Sequence, residues 1–259
     1  MLKNLSIIIP ARNEENNLAR IIPLIVKKYH QHILEIIVVD DNSTDGTYLS
    51  AWELKKQYKK IKIVRRIRNP GVGLAIKEGI KNLSPKSEYV LFMDCDFLAN
   101  VPDIANFIKK IDGFDGVTGS RFMTRGSLKN YPFIKLIANR SFHFLSQLII
   151  GIPHSDLTNN FKLYRKNLVD KLYPILRSPN FAINAELGYY PVIAGASIGQ
   201  IPVSWKERTR LMGLSKFKIF RVGPSYFLVF LRLIGMRLQP ARIRTIAAHP
   251  KSDSFPPKR

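Results

Sequence analysis

The chain has 259 residues, 46% of them hydrophobic, which is enough to build a sizeable core in one large or two small domains and excludes disorder as the main state. Lys and Arg number 41 against 19 Asp and Glu, a formal charge of +22 that favours an anionic partner (nucleic acid, lipid headgroups or a phosphorylated substrate) without choosing among them. Its single cysteine, Cys95, excludes an internal disulfide framework and any cysteine-based zinc cluster, as a reducing compartment would allow.

From the N-terminus, the apolar run before Pro10 is too short for a signal-peptide core and reads as a buried strand. Short apolar runs then alternate with helical patterns, predicting strands at Ser6–Pro10, Glu35–Val39, Ile61–Arg65 and Tyr89–Met93 in an α/β, mostly parallel sheet flanked by helices. Asn13 is expected to cap the first helix, and Pro23 to kink or shorten it. Further helices are predicted at Thr47–Tyr58 and Gly73–Asn82, with a fourth opened by Pro102 and Asp103. Beyond Ser120 the alternation fades, and helical pattern dominates Pro132–Ile150 and Asn184–Ala194, the mark of a second half-domain on the same sheet. The uncharged stretch Leu187–Trp205 is broken by Pro191, Gly195, Gly199 and Pro202, so it is not read as a membrane span. Phe217–Leu238 carries the apolar run Tyr226–Leu231 between flanking cations, and Arg232 interrupts it, which predicts an interfacial amphipathic helix. The tail from Arg242, with Pro250, Pro256 and Pro257, is expected to be disordered.

In a doubly wound sheet, ligands bind beyond the carboxyl ends of the strands, and here those ends are rich in acids. The fourth strand empties into Asp94-Cys95-Asp96; residues i and i+2 of an extended chain point the same way, so both carboxylates can reach Mg²⁺ or Mn²⁺ beside a diphosphate. After the second strand, Asp40 and Asp41 precede Asn42, Ser43, Asp45 and Gly46; one aspartate can serve the turn while the other accepts hydrogen bonds from a ribose or base. Gly71 and Gly73 stand before a helix, where backbone can approach a ligand or simply turn.

The segments Ser6–Glu14, Val38–Thr47, Asn69–Gly73, Met93–Asp96, Gly119–Arg121, Asp156–Arg165 and Arg210–Lys216 occur in the order found in family 2 glycosyltransferases. The chain resembles that family over roughly residues 4 to 220, and within it the polyprenyl-phosphate sugar transferases of the dolichyl-phosphate mannosyltransferase type. The resemblance implies a GT-A (Rossmann-like) fold at 1–216, with a nucleotide-sugar half at 1–120 and an acceptor half at 121–216, followed by the interfacial helix at 217–240 and the basic tail at 241–259. It implies that Pro10, Arg12, Glu14, Val39 and Asp41 cradle the nucleoside, and that Asp94, Cys95 and Asp96 meet the sugar diphosphate, the two aspartates as metal ligands and catalytic residues. It further implies that Arg121 faces the reaction centre, that Lys135, Asn139 and Arg140 join it around the acceptor phosphate, and that Arg210 with Lys216 closes over the donor. Asp156 reads as an orienting hydrogen-bond partner rather than a base. Three departures stand out: Leu98 replaces a residue that can ligate metal, Asn160 replaces a glycine, and no paired C-terminal membrane helices follow.

The implied activity is metal-dependent, inverting transfer of mannose or glucose from a GDP- or UDP-sugar to a polyprenyl or dolichyl phosphate. The implied setting is the cytoplasmic face of a membrane, held peripherally or through a partner subunit. A polysaccharide or protein acceptor and a nucleotidyltransferase are the rival enzymatic readings. A nucleic-acid-binding protein is disfavoured, because the cations from Trp205 onward interleave with apolar residues as on a membrane-surface helix.

Overall fold

Strands buried on both faces read as unbroken apolar runs, and the computed structural model, which describes residues 2–124, 126–129, 131–206 and 219–238, shows both faces covered. The first half alternates β1 (Leu5–Ala11), α1 (Glu15–Tyr29), β2 (Ile33–Asp41), α2 (Thr47–Gln57), β3 (Ile61–Arg66), α3 (Val72–Lys81) and β4 (Tyr89–Phe92). A 3-10 turn at Leu98–Asp103 leads into α4 (Ile104–Lys110) and β5 (Gly116–Ser120). The second half holds β6 (Leu128–Lys129), α5 (Phe133–Leu145) continued by a π-helical turn at Ser146–Ile150, β7 (Lys162–Arg165), α6 (Lys166–Leu172), α7 (Ile183–Ile193), β8 (Ile198–Pro202), β9 (Trp205–Lys206) and α8 (Ile219–Leu238).

Seven strands form one sheet in the order β3-β2-β1-β4-β7-β5-β8, while β6 and β9 pair separately. Within the large sheet only β7 runs against its neighbours, so its N-terminal end lies at the same edge as the carboxyl ends of β4 and β5. Side chains alternate between two cores: Ile7, Ile9, Ile36, Val38 and Leu91 face α1, α2 and α4, whereas Ile8, Ile37, Val39, Val90 and Phe92 face α3, α6, α7 and α8. Each such side chain, fully buried, contributes about 1.5–3 kcal/mol.

Two local expectations are corrected. Asn13 does not cap α1: it sits at φ 51, its Oδ1 accepts the Thr44 N–H at 2.8 Å and its backbone N–H donates to Ser43 Oγ at 3.0 Å. Asparagine tolerates this left-handed conformation, and here it ties the turn after β1 to the turn after β2. Of the two effects expected of Pro23, a kink or a shortening, the shortening does not occur: α1 continues to Tyr29, and the Ala19 carbonyl that Pro23 leaves without a helical donor belongs to an exposed residue, where water can serve it.

The C-terminal helix is docked rather than lying apart from the catalytic half. Val229, Phe230 and Leu233 are buried against the core beneath α7. Arg232, read in the sequence as an interruption, donates at 2.9 Å to the fully buried Glu186, which also accepts the backbone N–H of Arg177 and Ser178. Its outward side is apolar as well, exposing Phe220, Phe227, Leu228 and Leu231. Among the described residues no helix is long and apolar enough to cross a membrane.

Candidate active site

The acidic strand ends converge on a cavity of about 540 Å³, within the range typical of small-molecule sites. Pro10 reaches it from the end of β1, Arg12 and Glu14 from the turn that follows, and Asp41 from the end of β2. The two aspartates of β2 divide the work. Asp40 closes the turn, its Oδ1 accepting the Ser43 N–H at 3.2 Å. Asp41 accepts the Gly71 N–H at 2.6 Å and pairs with Arg66, which lies opposite it in register on β3. Burial pushes the Asp41 carboxyl above its ordinary value, against the pull of Arg66, the Gly71 amide and Arg12. Gly71 and Gly73 are required by close approach, since a Cβ on either would strike the backbone of the segment Ser178–Pro179. The Pro179 carbonyl accepts the Gly73 N–H at 3.0 Å, so α3 enters the cavity wall over a fixed loop.

Asp94, Cys95 and Asp96 line the cavity just beyond β4. Asn160, two residues before β7, donates from Nδ2 to Asp94 Oδ1 at 2.6 Å, which gives this departure from the family pattern a role in holding the carboxylate. Leu98 packs against the first core instead of facing the carboxylates as a ligand would.

Arg121, at the end of β5, forms a two-pronged pair with Asp156: Nε to Oδ2 at 2.7 Å and Nη2 to Oδ1 at 3.0 Å. Burial alone would raise the Asp156 carboxyl, but the adjoining guanidinium overrides it and holds the group down at about 2. Asp156 in turn keeps Arg121 protonated despite burial. His143 stands behind the pair with Nε2 accepting the Leu157 N–H at 2.9 Å and Nδ1 placed 2.8 Å from the Asn139 carbonyl, so those partners select the neutral ring with its proton on Nδ1. Burial lowers its pKa in the same sense, over the opposing field of Asp156. Asp156 thus orients Arg121, as expected.

The far wall comes from two helices, α5 through Lys135, Asn139 and Phe142, and α8 through Arg221 and Tyr226. Asn139 is fixed by a 2.8 Å bond to Thr158 Oγ1, and Tyr226 by one of 3.0 Å to the Phe181 carbonyl.

Two expected residues are not brought to the cavity. Val39 is fully buried in the core beneath α3, one side-chain alternation away from the strand end. Arg140 turns to the Ser155 carbonyl at 3.0 Å and lies over the Phe122 ring, because one step beyond Asn139 rotates it off the helix face that carries Lys135. Arg210 and Lys216 lie outside the described residues.

Sequence reasoning also missed several groups. Arg66 was findable as the cation ending β3 opposite Asp41. Lys162, fully buried between β4 and β5, donates to the Asn159 carbonyl, and burial pulls its amine down to about 7 against the opposing charges of Asp156 and Asp94. A lysine set between Phe161 and Leu163 at the head of β7 was its only signal. Arg221 and Tyr226 had no local signal as site residues; only the docking of α8 brings them there.

The donor set suits a hard divalent cation such as Mg²⁺ or Mn²⁺: two carboxylates two residues apart at the cavity, with no third His, Cys, Asp or Glu grouped with them among the described residues, as fits a cation that keeps water and substrate oxygens as ligands. Asp94 and Asp96 would hold it, with phosphate oxygens and water completing the shell.

A polyprenol monophosphomannose synthase of Mycolicibacterium smegmatis is 28% identical over 242 residues, covering 91% of this chain and 89% of that protein. An uncharacterised protein of Methanocaldococcus jannaschii is 28% identical over 200 residues, 76% of this chain and 79% of its own. Among solved structures, glucosyl-3-phosphoglycerate synthase of Mycobacterium tuberculosis with phosphoglyceric acid superposes with a TM-score of 0.63 at 17% identity, over 96% of this chain and 82% of that one. The same enzyme with Mn²⁺ and UDP-glucose gives 0.62 at 18% identity, over 96% and 81%. At these identities the superpositions show a shared GT-A-like fold. The description "Glycosyl transferase family 2" matches residues 6–173, and with the strand-end carboxylates gathered at one cavity the chain belongs to that family of glycosyltransferases.

Proposed function

We propose that this glycosyltransferase moves a hexose, mannose or glucose, from a GDP- or UDP-sugar to a polyprenyl phosphate at a membrane surface. The observation that carries the reading is that one cavity is walled on one side by Asp94 and Asp96 and on the other by two helices with apolar outer faces. Phe133, Ile134 and Ile137 of α5, Phe144 to Ile149 along its continuation, and the outer residues of α8 hold most of the exposed large hydrophobic side chains among the described residues. Lys135, Arg140, Arg221 and Arg237 border them. Such a face suits the boundary of a bilayer, where each cation near anionic headgroups gains about 1 kcal/mol. The phosphate of a lipid acceptor would then lie in the cavity with its chain in the bilayer. The mannose and polyprenol phosphate named for the 28% identical relative support the same substrates.

A phosphate monoester is an anion near neutral pH and needs no base to attack the anomeric carbon. Its oxygen forms the new glycosidic bond as the bond to the nucleoside diphosphate breaks on the opposite face, inverting the centre. The chain's own task is to position and to balance charge: Arg121, locked by Asp156, and Lys135 meet anionic oxygens, and Asp41 orients the nucleoside. A bound divalent cation supplies charge neutralisation of the leaving diphosphate.

Incubating the protein with a panel of sugar nucleotides, Mn²⁺ or Mg²⁺ and a short prenyl phosphate is expected to yield a charged glycolipid and free nucleoside diphosphate. Pyrophosphate as product would mean nucleotidyl transfer, and transfer only to a polysaccharide or protein would remove the lipid acceptor. For the apolar face, flotation with anionic vesicles is expected to carry the protein upward and to weaken in high salt; replacing Phe227, Leu228 and Leu231 with serine should abolish it. Failure of the unaltered chain to float would leave that face to a second copy or a partner subunit.

A further inference from the structure

The order of strands lays out the cavity as a line. Asp41 stands at the end of β2, Arg12 beyond β1, Asp94 and Asp96 beyond β4, Asn160 two residues before β7, and Arg121 just beyond β5, in the order in which those strands sit side by side. With strands spaced about 4.8 Å apart, Asn160 lies on the far side of the carboxylate pair from Asp41, between the diphosphate position and Arg121. A nucleotide sugar stretched along that line places its hexose at Asn160.

The chemistry of the side chain agrees. Asn160 is 2% exposed and lines the cavity. Its partner Asp94 Oδ1 can only accept, so the 2.6 Å contact fixes the amide with its NH₂ group toward the carboxylate and its carbonyl oxygen turned away. That oxygen is buried and has no donor. Phosphate near neutral pH has no proton to offer it, and the neighbouring cations are suited to phosphate. A sugar hydroxyl supplies the missing donor, and relieves the penalty of a buried acceptor left unpaired.

We propose, building on the nucleotide-sugar reading above, that Asn160 is the specificity residue for the transferred hexose, its Oδ1 accepting a hydrogen bond from one sugar hydroxyl while its Nδ2 holds Asp94. The test compares kcat/KM for the parent donor, its deoxy analogues, which lack one hydroxyl group altogether, and its deoxyfluoro analogues, which keep nearly the same volume but have no proton to donate there. Wild type is expected to disfavour one analogue by about 10–100-fold, and Asn160→Ala to shrink that ratio to within about threefold. A merely structural role would lower kcat/KM for every donor alike and leave the ratio intact. An unchanged ratio in Asn160→Ala, or a wild type indifferent to every hydroxyl, overturns the proposal. Should Asn160→Ala fail to fold, Asn160→Ser, which keeps a donor for Asp94, takes its place. Calorimetry with the plain nucleoside diphosphate separates the two levels: no binding by wild type defeats the nucleotide-sugar reading itself, whereas binding with an unaltered hydroxyl ratio defeats only the role of Asn160.

Discussion

Replacing Arg121 with methionine is expected to lower the unfolding free energy by about 3–5 kcal/mol, because it leaves Asp156 as a fully buried carboxylate without its cation. Attraction between the two groups repays their desolvation only while both are present. The double variant Arg121→Met/Asp156→Leu should therefore recover most of the loss, and urea melts of the two variants measure it. The pH dependence has a definite sign. In the unfolded chain Asp156 titrates at its ordinary value near 3.8, and in the folded chain at about 2, so its contribution is complete above pH ~4 and is lost as pH falls toward 2. Asp156→Asn should flatten that acid limb. An Arg121→Met variant that melts like wild type would show that water enters and screens the carboxylate, and that Arg121 is held for chemistry alone.

The second large effect is expected at Asp96. Asp96→Asn keeps the shape of the side chain and removes one of the two charges available to a divalent cation, so the rate of sugar transfer should fall about a hundredfold, on the order of 3 kcal/mol of transition-state stabilisation. Excess chelator acting on wild type should produce a comparable loss. Binding of the nucleoside diphosphate without metal should change little, which distinguishes lost catalysis from a collapsed site. Undiminished transfer by Asp96→Asn, or by wild type in chelator, would mean that cationic side chains such as Arg12 and Arg121 neutralise the leaving group unaided.

The parts of this site that were legible in the chain are those that sit at strand ends. Ile7, Ile8 and Ile9 alternate between two cores, which makes the run a two-sided strand, and the polar residues after it must then lie at the edge where ligands gather. The same reasoning located Asp41, Asp94 and Asp96, because a run of apolar residues ends where its burial ends. The family resemblance, by contrast, implied Val39, whose place inside the strand puts its side chain in the core, and Arg140, where one residue of helix is a turn of about 100°.

What sequence alone determined about this protein is therefore local and periodic: the β-α alternation, the acidic strand ends and the cationic, apolar C-terminal segment. Only tertiary structure decided which of these meet. Arg121 and Asp156 lie 35 residues apart, Asn160 and Asp94 66 apart, and Arg232 and Glu186 46 apart; nothing in the spacing of either partner announces the other. Those pairings arise because β7 inserts antiparallel between β4 and β5, and because α8 folds back onto α7 to bury its apolar side. Periodicity reports which face of an element is buried, whereas the identity of the partner depends on the order in which distant elements pack, a cooperative choice that no short window of sequence contains.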